Sequence, residues 1–167
     1  RTTIIALPTD ELLVISPPSV DAGGLEEIDA LGATRHVAVP NSFHHLNAPR
    51  FLDRYPGARF WAAPGLFSRI RGLPPGNELS DTAPDAWSGA IDLAILRPTS
   101  EVSEVALFHR PSATLILTDV AFHMVQFASS FERMVWRLSG VPAGFGPSRT
   151  ARMLLLHDRA QARAFLD

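Results

Sequence analysis

Three observations predict an α/β domain. Short apolar, β-rich runs such as His36 to Val39 and Arg59 to Ala63 alternate with stretches of helical period over residues 1–71, the pattern of a layered α/β fold rather than a bundle. Apolar runs also occur in pairs joined by Pro-containing turns, once near the start and once within Val102 to Asp119, which reads as two hairpins. The 167 residues carry 46% hydrophobic and 19% charged side chains. That suffices for a single domain over residues 1–167 with a substantial core.

Taken in order, Thr3 to Leu7 and Glu11 to Ser16 flank Pro8-Thr9-Asp10 and form the first hairpin, which Pro17-Pro18 ends. Asp21 can cap a helix through about Leu31 with Leu25, Ile28 and Leu31 on one face, and Gly32 stops it. His36 to Val39 follows as a buried strand, then Pro49 to Tyr55 as a short helix closed by Pro56-Gly57. Arg59 to Ala63 is a strand closed by Pro64-Gly65, and Leu66 to Arg71 a further helix. Gly72 to Gly89, with three prolines, is the longest irregular segment, either a surface excursion or a functional loop. Strands resume at Ala90 to Leu96 and in the second hairpin, whose turn is Arg110-Pro111-Ser112. Phe127 to Leu138 is an amphipathic helix, and Gly140 to Pro147 a loop. Helical pattern returns over Thr150 to His157, where Met153 to Leu156 also reads as a strand, and over Asp158 to Leu166. The chain starts without Met and stops inside a helical pattern, so both ends of a longer protein are expected beyond it.

Composition excludes several chemistries. The net charge of -2 offers no general attraction for phosphate polymers, so no nucleic-acid partner is expected. No apolar run reaches the roughly 18 residues of a membrane span, and a cytoplasmic protein without a membrane partner is expected. All fifteen basic residues are Arg, which removes Schiff-base and Walker-lysine mechanisms. With no Cys, metal ligands must come from His, Asp and Glu. No G-x-S-x-G elbow, phosphate-cradling glycine loop or H-E-x-x-H helix occurs.

The chemistry is expected around Arg35 to Leu46, RHVAVPNSFHHL, where a strand stops at Pro40-Asn41 shortly before His44-His45. Ligands in open α/β folds gather beyond the carboxyl ends of strands. A hairpin turn near Pro111-Ser112 sets Glu104 opposite Asp119 and leaves His109 at the far end, about 15–20 Å away at ~3.3 Å per residue. His123 lies only four residues past Asp119. The candidate metal ligands are therefore His44, His45, Glu104, Asp119 and His123, a nitrogen-and-oxygen set suited to one Zn, Fe or Mn ion, with no cofactor as the alternative. His44 and Asp119 are the candidate catalytic residues.

PNSFHHL, the run EVALFH opened by Glu104, and PSATLILTD, in this order of elements, together resemble the metallo-β-lactamase superfamily, in particular an uncharacterised branch with a degenerate metal motif. The resemblance covers nearly the whole chain and implies a four-layer αβ/βα sandwich, truncated at the C-terminus, with a metal-dependent hydrolytic site at one sheet edge. Against the superfamily motif H-x-H-x-D-H, His44 falls on the Asp and His45 on the last His, while Pro40 and Ser42 stand at two ligand positions. Pro98 to Ser103 lacks the next histidine, Asp119 matches the bridging carboxylate, and the final His-Gly would fall beyond Asp167.

Each candidate also has a plain structural reading. His44-His45 serves equally as a solvated pair or helix cap, Asp119 as a helix cap, Glu104 as a strand-edge hydrogen-bonding residue and His123 as a helix histidine. His36, His157 and the dipeptide His157-Asp158 are taken as structural, and Trp61, Trp87 and Trp136 as core or interface anchors. Two functions remain: a metal-dependent hydrolase-like enzyme with a mononuclear or vestigial site and an unknown small-molecule substrate, or a non-catalytic binding protein that kept the sandwich and lost the metals. Salt bridges or apolar filling inside the site favour the second; a vacant imidazole-lined cleft favours the first. Phe122 to Phe131 and the Gly72 to Gly89 loop are the candidate surfaces for a partner or homodimer.

Overall fold

Thr3–Ala6 (β1) and Glu11–Ile15 (β2) pair antiparallel, Thr3 opposite Ile15 and Ala6 opposite Leu12. Asp10 closes their turn with a left-handed φ of 59°, a conformation that Asp tolerates better than most residues. The computed structural model describes residues 1–19, 21–97, 103–123, 127–141 and 144–154, together with 156, 160 and 163. Most of the helix predicted over 158–166, of which Ala160 and Arg163 are described and helical, the dipeptide His157-Asp158 and most of the segment before Glu104 lie outside the described residues.

Ala22–Leu31 (α1) starts where the Asp21 carboxylate accepts from the Gly24 backbone N–H at 2.8 Å. Gly32 ends it with a φ of 146°. The chain returns as Ala33–Val39 (β3), parallel to β2, three residues longer at its start than expected. Ala48–Arg54 (α2) then crosses to Arg59–Ala62 (β4), parallel to β3. Leu66–Arg69 (α3) leads toward Asn77–Glu78 (β5), which pairs parallel with β4 and completes a sheet in the order β1-β2-β3-β4-β5.

Side chains alternate across this sheet, as the two-residue period of a strand requires. Leu12, Val14, Val37 and Val39 face a core built with Ile28 of α1 and with Phe51 and Leu52 of α2. Leu13, Ile15 and Ala38 face the opposite way, into a core shared with a second sheet. That sheet is an antiparallel meander of Ile91–Leu96 (β6), Glu104–His109 (β7) and Thr114–Ile116 (β8). Ile91, Ile95, Val105 and Leu107 supply its side of the core. Helices thus cover one face of the mixed sheet and the second sheet covers the other.

Phe122–His123 (β9) and Phe145–Gly146 (β10) form a two-stranded ribbon, with Ser130–Leu138 (α4) between them and Arg149–Leu154 (α5) after. Met153 is helical, not part of a strand.

Two expectations change. The segment from Gly72 to Gly89 is more than a surface excursion, because it donates the edge strand β5 and a short 3-10 turn, Asp85–Trp87, whose Trp87 is fully buried between the sheets. Leu31, expected on the inner helix face, is 63% exposed at the last turn of α1.

Candidate functional site

The carboxyl end of β3 meets the start of β7, because the Val105 backbone N–H donates to the Pro40 carbonyl at 2.9 Å. This bond ties the two sheets together at the point where Asn41 follows Pro40 and Glu104 precedes Val105. The β7–β8 register, with Leu107 opposite Ile116, carries Thr118 and Asp119 back to Glu104. Both Asn41 and Glu104 are fully buried.

Asn41 is the hub of the cluster. Its Oδ1 accepts the Phe43 backbone N–H at 2.8 Å, a local turn that fixes which way the amide points. Its Nδ2 therefore faces inward, donating to Glu104 Oε2 at 2.6 Å, Asp119 Oδ2 at 2.7 Å and Thr118 Oγ1 at 3.0 Å. An amide has two N–H bonds, so these three acceptors share them. The other Glu104 oxygen, Oε1, accepts the backbone N–H groups of Thr118 and Asp119, each at 3.1 Å, and the Thr118 hydroxyl. Both oxygens of this buried carboxylate thus have donors, which is what its burial demands.

The turn set by Asn41 also places the histidines. His44 Nε2 lies 3.4 Å from Asp119 Oδ2, with both side chains partly exposed. His45 turns back on its own loop, where its Nδ1 meets the Ser42 carbonyl at 2.6 Å and acts as donor. His123 is exposed on β9 opposite Phe145. His109 sits at the β7–β8 turn, its Nδ1 2.7 Å from Ser112 Oγ. The structure therefore brings together His44, Glu104 and Asp119 from the expected set.

Electrostatics separate the two carboxylates. Burial, aided by the nearby charge of Asp119, raises the Glu104 pKa against the opposing hydrogen bonds from Thr118, Asn41 and the Asp119 N–H. Burial also pushes Asp119 upward, but the hydrogen bond and charge of His44, with the Asn41 amide, outweigh it and its pKa is lowered.

Among the described residues, no group of three or more His, Asp or Glu side chains is arranged to hold a metal ion. The donor set explains why. A metal needs lone pairs converging on one point, and here the N–H bonds of Asn41 occupy the space between Glu104 and Asp119. The amide bridges the two carboxylates through hydrogen bonds instead of a metal ion. As arranged, these residues do not fit a metal.

Asn41 and Thr118 are the participants that the sequence reading did not single out. Asn41 had one signal, its place directly after Pro40 at a strand end, and Thr118 had one, the residue before Asp119.

Comparison with curated proteins returns no match. Residues 1–163 match the model of a family described as a domain of unknown function (DUF4336), and the chain belongs to that family.

Proposed function

We propose that this domain is a non-catalytic binding protein on a metallo-β-lactamase-like αβ/βα frame, in which a hydrogen-bond network centred on an amide stands where related sites hold metal. The observation that carries this reading is the Asn41 Nδ2, within 2.7 Å of carboxylates on both sides and locked in that orientation by Phe43. A site filled by satisfied hydrogen bonds has little room for a metal-bound water. Helices on one face of the mixed sheet and a second sheet on the other support the frame.

The test is elemental analysis of protein purified from media supplemented with zinc, iron and manganese. The expected content of each metal is below about a tenth of an equivalent, since structural sites otherwise bind tightly enough to survive purification. Near-stoichiometric metal in folded protein would overturn the reading.

A second reading, a metal-dependent hydrolase, has one observation in its favour. His44 and Asp119 are adjacent and reachable from solvent, unlike buried Glu104. In that reading His44 and Asp119 act on substrate, and His45, Glu104 and His123 must rearrange to complete the ligand set. It requires bound Zn, Fe or Mn and hydrolysis of an ester, amide or phosphoester in the same preparation, with both lost in Asp119→Ala.

A further inference from the structure

Helix α4 is mounted with its apolar side outward. Phe131, Met134, Val135 and Leu138 recur at helical spacing and fall within an arc of about 100°. All four are exposed, Phe131 at 69% and Leu138 at 72%. The helix meets the body with its other side, where Glu132 and Trp136 are half-buried. The Trp136 ring packs on Phe122 of β9 at 6.0 Å. Glu132, the acidic residue of the helix, engages both carboxylate oxygens locally: Oε2 accepts the Ala128 backbone N–H at 2.6 Å and Oε1 the Trp136 indole N–H at 3.4 Å. A surface helix normally turns its apolar stripe to the core. The inverted mounting presents a patch of the kind that marks a protein or membrane contact.

Charge decides between these. Arg137 borders the apolar arc beside Met134, and Arg133 follows it round the cylinder with its guanidinium 5.7 Å from the Phe127 ring. Arg149 joins them at the C-terminal end of the helix. Its backbone N–H donates to the Ser139 carbonyl at 3.3 Å, and its side-chain stem lies against Gly140, close enough that an added Cβ there would clash. All three arginines are exposed and, among the described residues, none is ion-paired with an acidic side chain. The same asymmetry runs through the chain: residues 127–167 carry six Arg against three acidic side chains, and residues 1–126 carry nine against fourteen. Such a division points to a polyanionic or membrane partner.

An apolar arc edged by arginines suits an anionic lipid surface, where the apolar side chains enter the acyl boundary and the guanidinium groups reach the headgroups. Nucleic acid would leave Met134, Val135 and Leu138 uncovered. A second copy or a protein partner has too little to hold. Nine residues at about 1.5 Å each make a face about 14 Å long, far short of the ~800 Å² that each side of a standard interface buries. The absence of a spanning run, from which no membrane partner was expected, bears on crossing a bilayer and not on lying against one.

We propose that α4 docks this domain on anionic lipid bilayers, with Phe131, Met134, Val135 and Leu138 at the acyl boundary and Arg133, Arg137 and Arg149 on the acidic headgroups. None of these residues belongs to the Asn41 network, so docking is expected under either reading of that site.

The experiment is flotation of the full chain with vesicles of phosphatidylcholine alone and of equimolar phosphatidylcholine and phosphatidylserine. Binding to the anionic vesicles is expected to be tighter than to the neutral ones by at least about tenfold and to weaken as salt is raised. Phe131→Gln combined with Leu138→Gln is expected to weaken it by about tenfold or more at an unchanged thermal midpoint, since both side chains are exposed. Arg137→Gln leaves the apolar arc intact and is expected to weaken binding by about fivefold. No binding to the anionic vesicles, equal binding to the neutral ones, or unchanged affinity in either variant would each overturn the proposal. A dimer in light scattering that the double variant converts to monomer would also overturn it and give the face to a second copy.

Discussion

Replacing Asn41 with Ala removes the donor group that bridges Glu104 Oε2 and Asp119 Oδ2. Two carboxylates then face each other without a bridge, one of them fully buried. The loss is expected to be about 3 kcal/mol, the range for hydrogen bonds to buried charged groups, read as a lower urea midpoint at unchanged m-value. Glu104→Gln tests the same network from the other side. Its amide can keep one oxygen toward Thr118 and Asp119, but its Nε2 then meets the Asn41 Nδ2, donor against donor. A loss of about 2 kcal/mol is expected despite the near-identical shape. A neutral outcome would mean that Glu104 is already protonated in the folded chain.

The acid limb of stability carries the opposite signs of the two carboxylates. Asp119 has its pKa lowered in the fold, so its contribution is present above the unfolded value near 3.8 and is lost as pH falls through the folded value. Glu104 has its pKa raised from 4.5, so its ionisation costs stability above the folded value and acidification through that value recovers it. His44→Phe should remove the partner that lowers Asp119 and so flatten the loss of stability below pH 3.8. The check is the urea midpoint of both proteins across the acid range.

Among the elements, α4 and β5 show how local rules were or were not visible. Ser129 Oγ accepts the Glu132 N–H at 3.1 Å while Glu132 Oε2 accepts the Ala128 N–H at 2.6 Å. This variant of the capping box, in which Glu132 reaches the residue before the cap, fixes where the helix starts, three residues later than hydrophobic period alone suggested. The period was legible because Phe131, Val135 and Leu138 recur at helical spacing. Their exposure was not legible, since spacing says which residues share a face and nothing about what lies against it. Among the described residues, Trp136 is the one residue of this helix in ring contact with the ribbon, to Phe122 at 6.0 Å. Edge strand β5 escaped the sequence reading for a different reason. It has two residues and pairs only through its neighbour β4, so it has no period of its own. Its approach depends on Gly76, where an added Cβ would sit 2.7 Å from the Phe60 carbonyl oxygen and 2.9 Å from the Phe60 ring. Gly76→Ala is therefore expected to push β5 off the sheet and cost about 1–3 kcal/mol, as overpacking does. Faster amide exchange confined to residues 77–79 would show it, and an unchanged exchange pattern would count against the close approach.

For the whole molecule, the order of strands and helices was legible because Pro closes the ends of β1, β2, β3, β4, β6 and β7 within two residues and β2 and β3 bury apolar residues on both faces. The meeting of Glu104 with Asp119 was also legible, since it follows from hairpin register alone. What holds them together was not. Asn41 reaches Glu104 and Asp119 only once two separate sheets are stacked, and no local pattern reports which faces stack. The same stacking buries His36, whose sequence signal was that of an ordinary strand residue. It lies 2% exposed on β3, with the Trp61 ring stacked at 6.3 Å and the Trp87 ring edge-on at 5.8 Å. The Trp61 indole N–H donates to Nδ1 at 3.1 Å, so Nδ1 must carry a lone pair, and Nε2 donates to Glu11 Oε2 at 3.3 Å. Only the neutral ring satisfies both bonds. Burial first, then the charge of Arg59, lowers the pKa from 6.5 against the opposing pull of Glu11. Above 6.5 the folded and unfolded chains are both neutral at this site. As pH falls below 6.5 the unfolded chain takes up a proton that the folded chain refuses, so stability declines until the lower folded pKa is reached. The urea midpoint is thus expected to fall between neutral pH and mildly acidic pH. In His36→Phe the midpoint should start lower, because Glu11 and Trp61 lose their partner, and lose most of its slope over that window. A slope equal to that of the parent would place the titrating group elsewhere and leave His36 as packing alone.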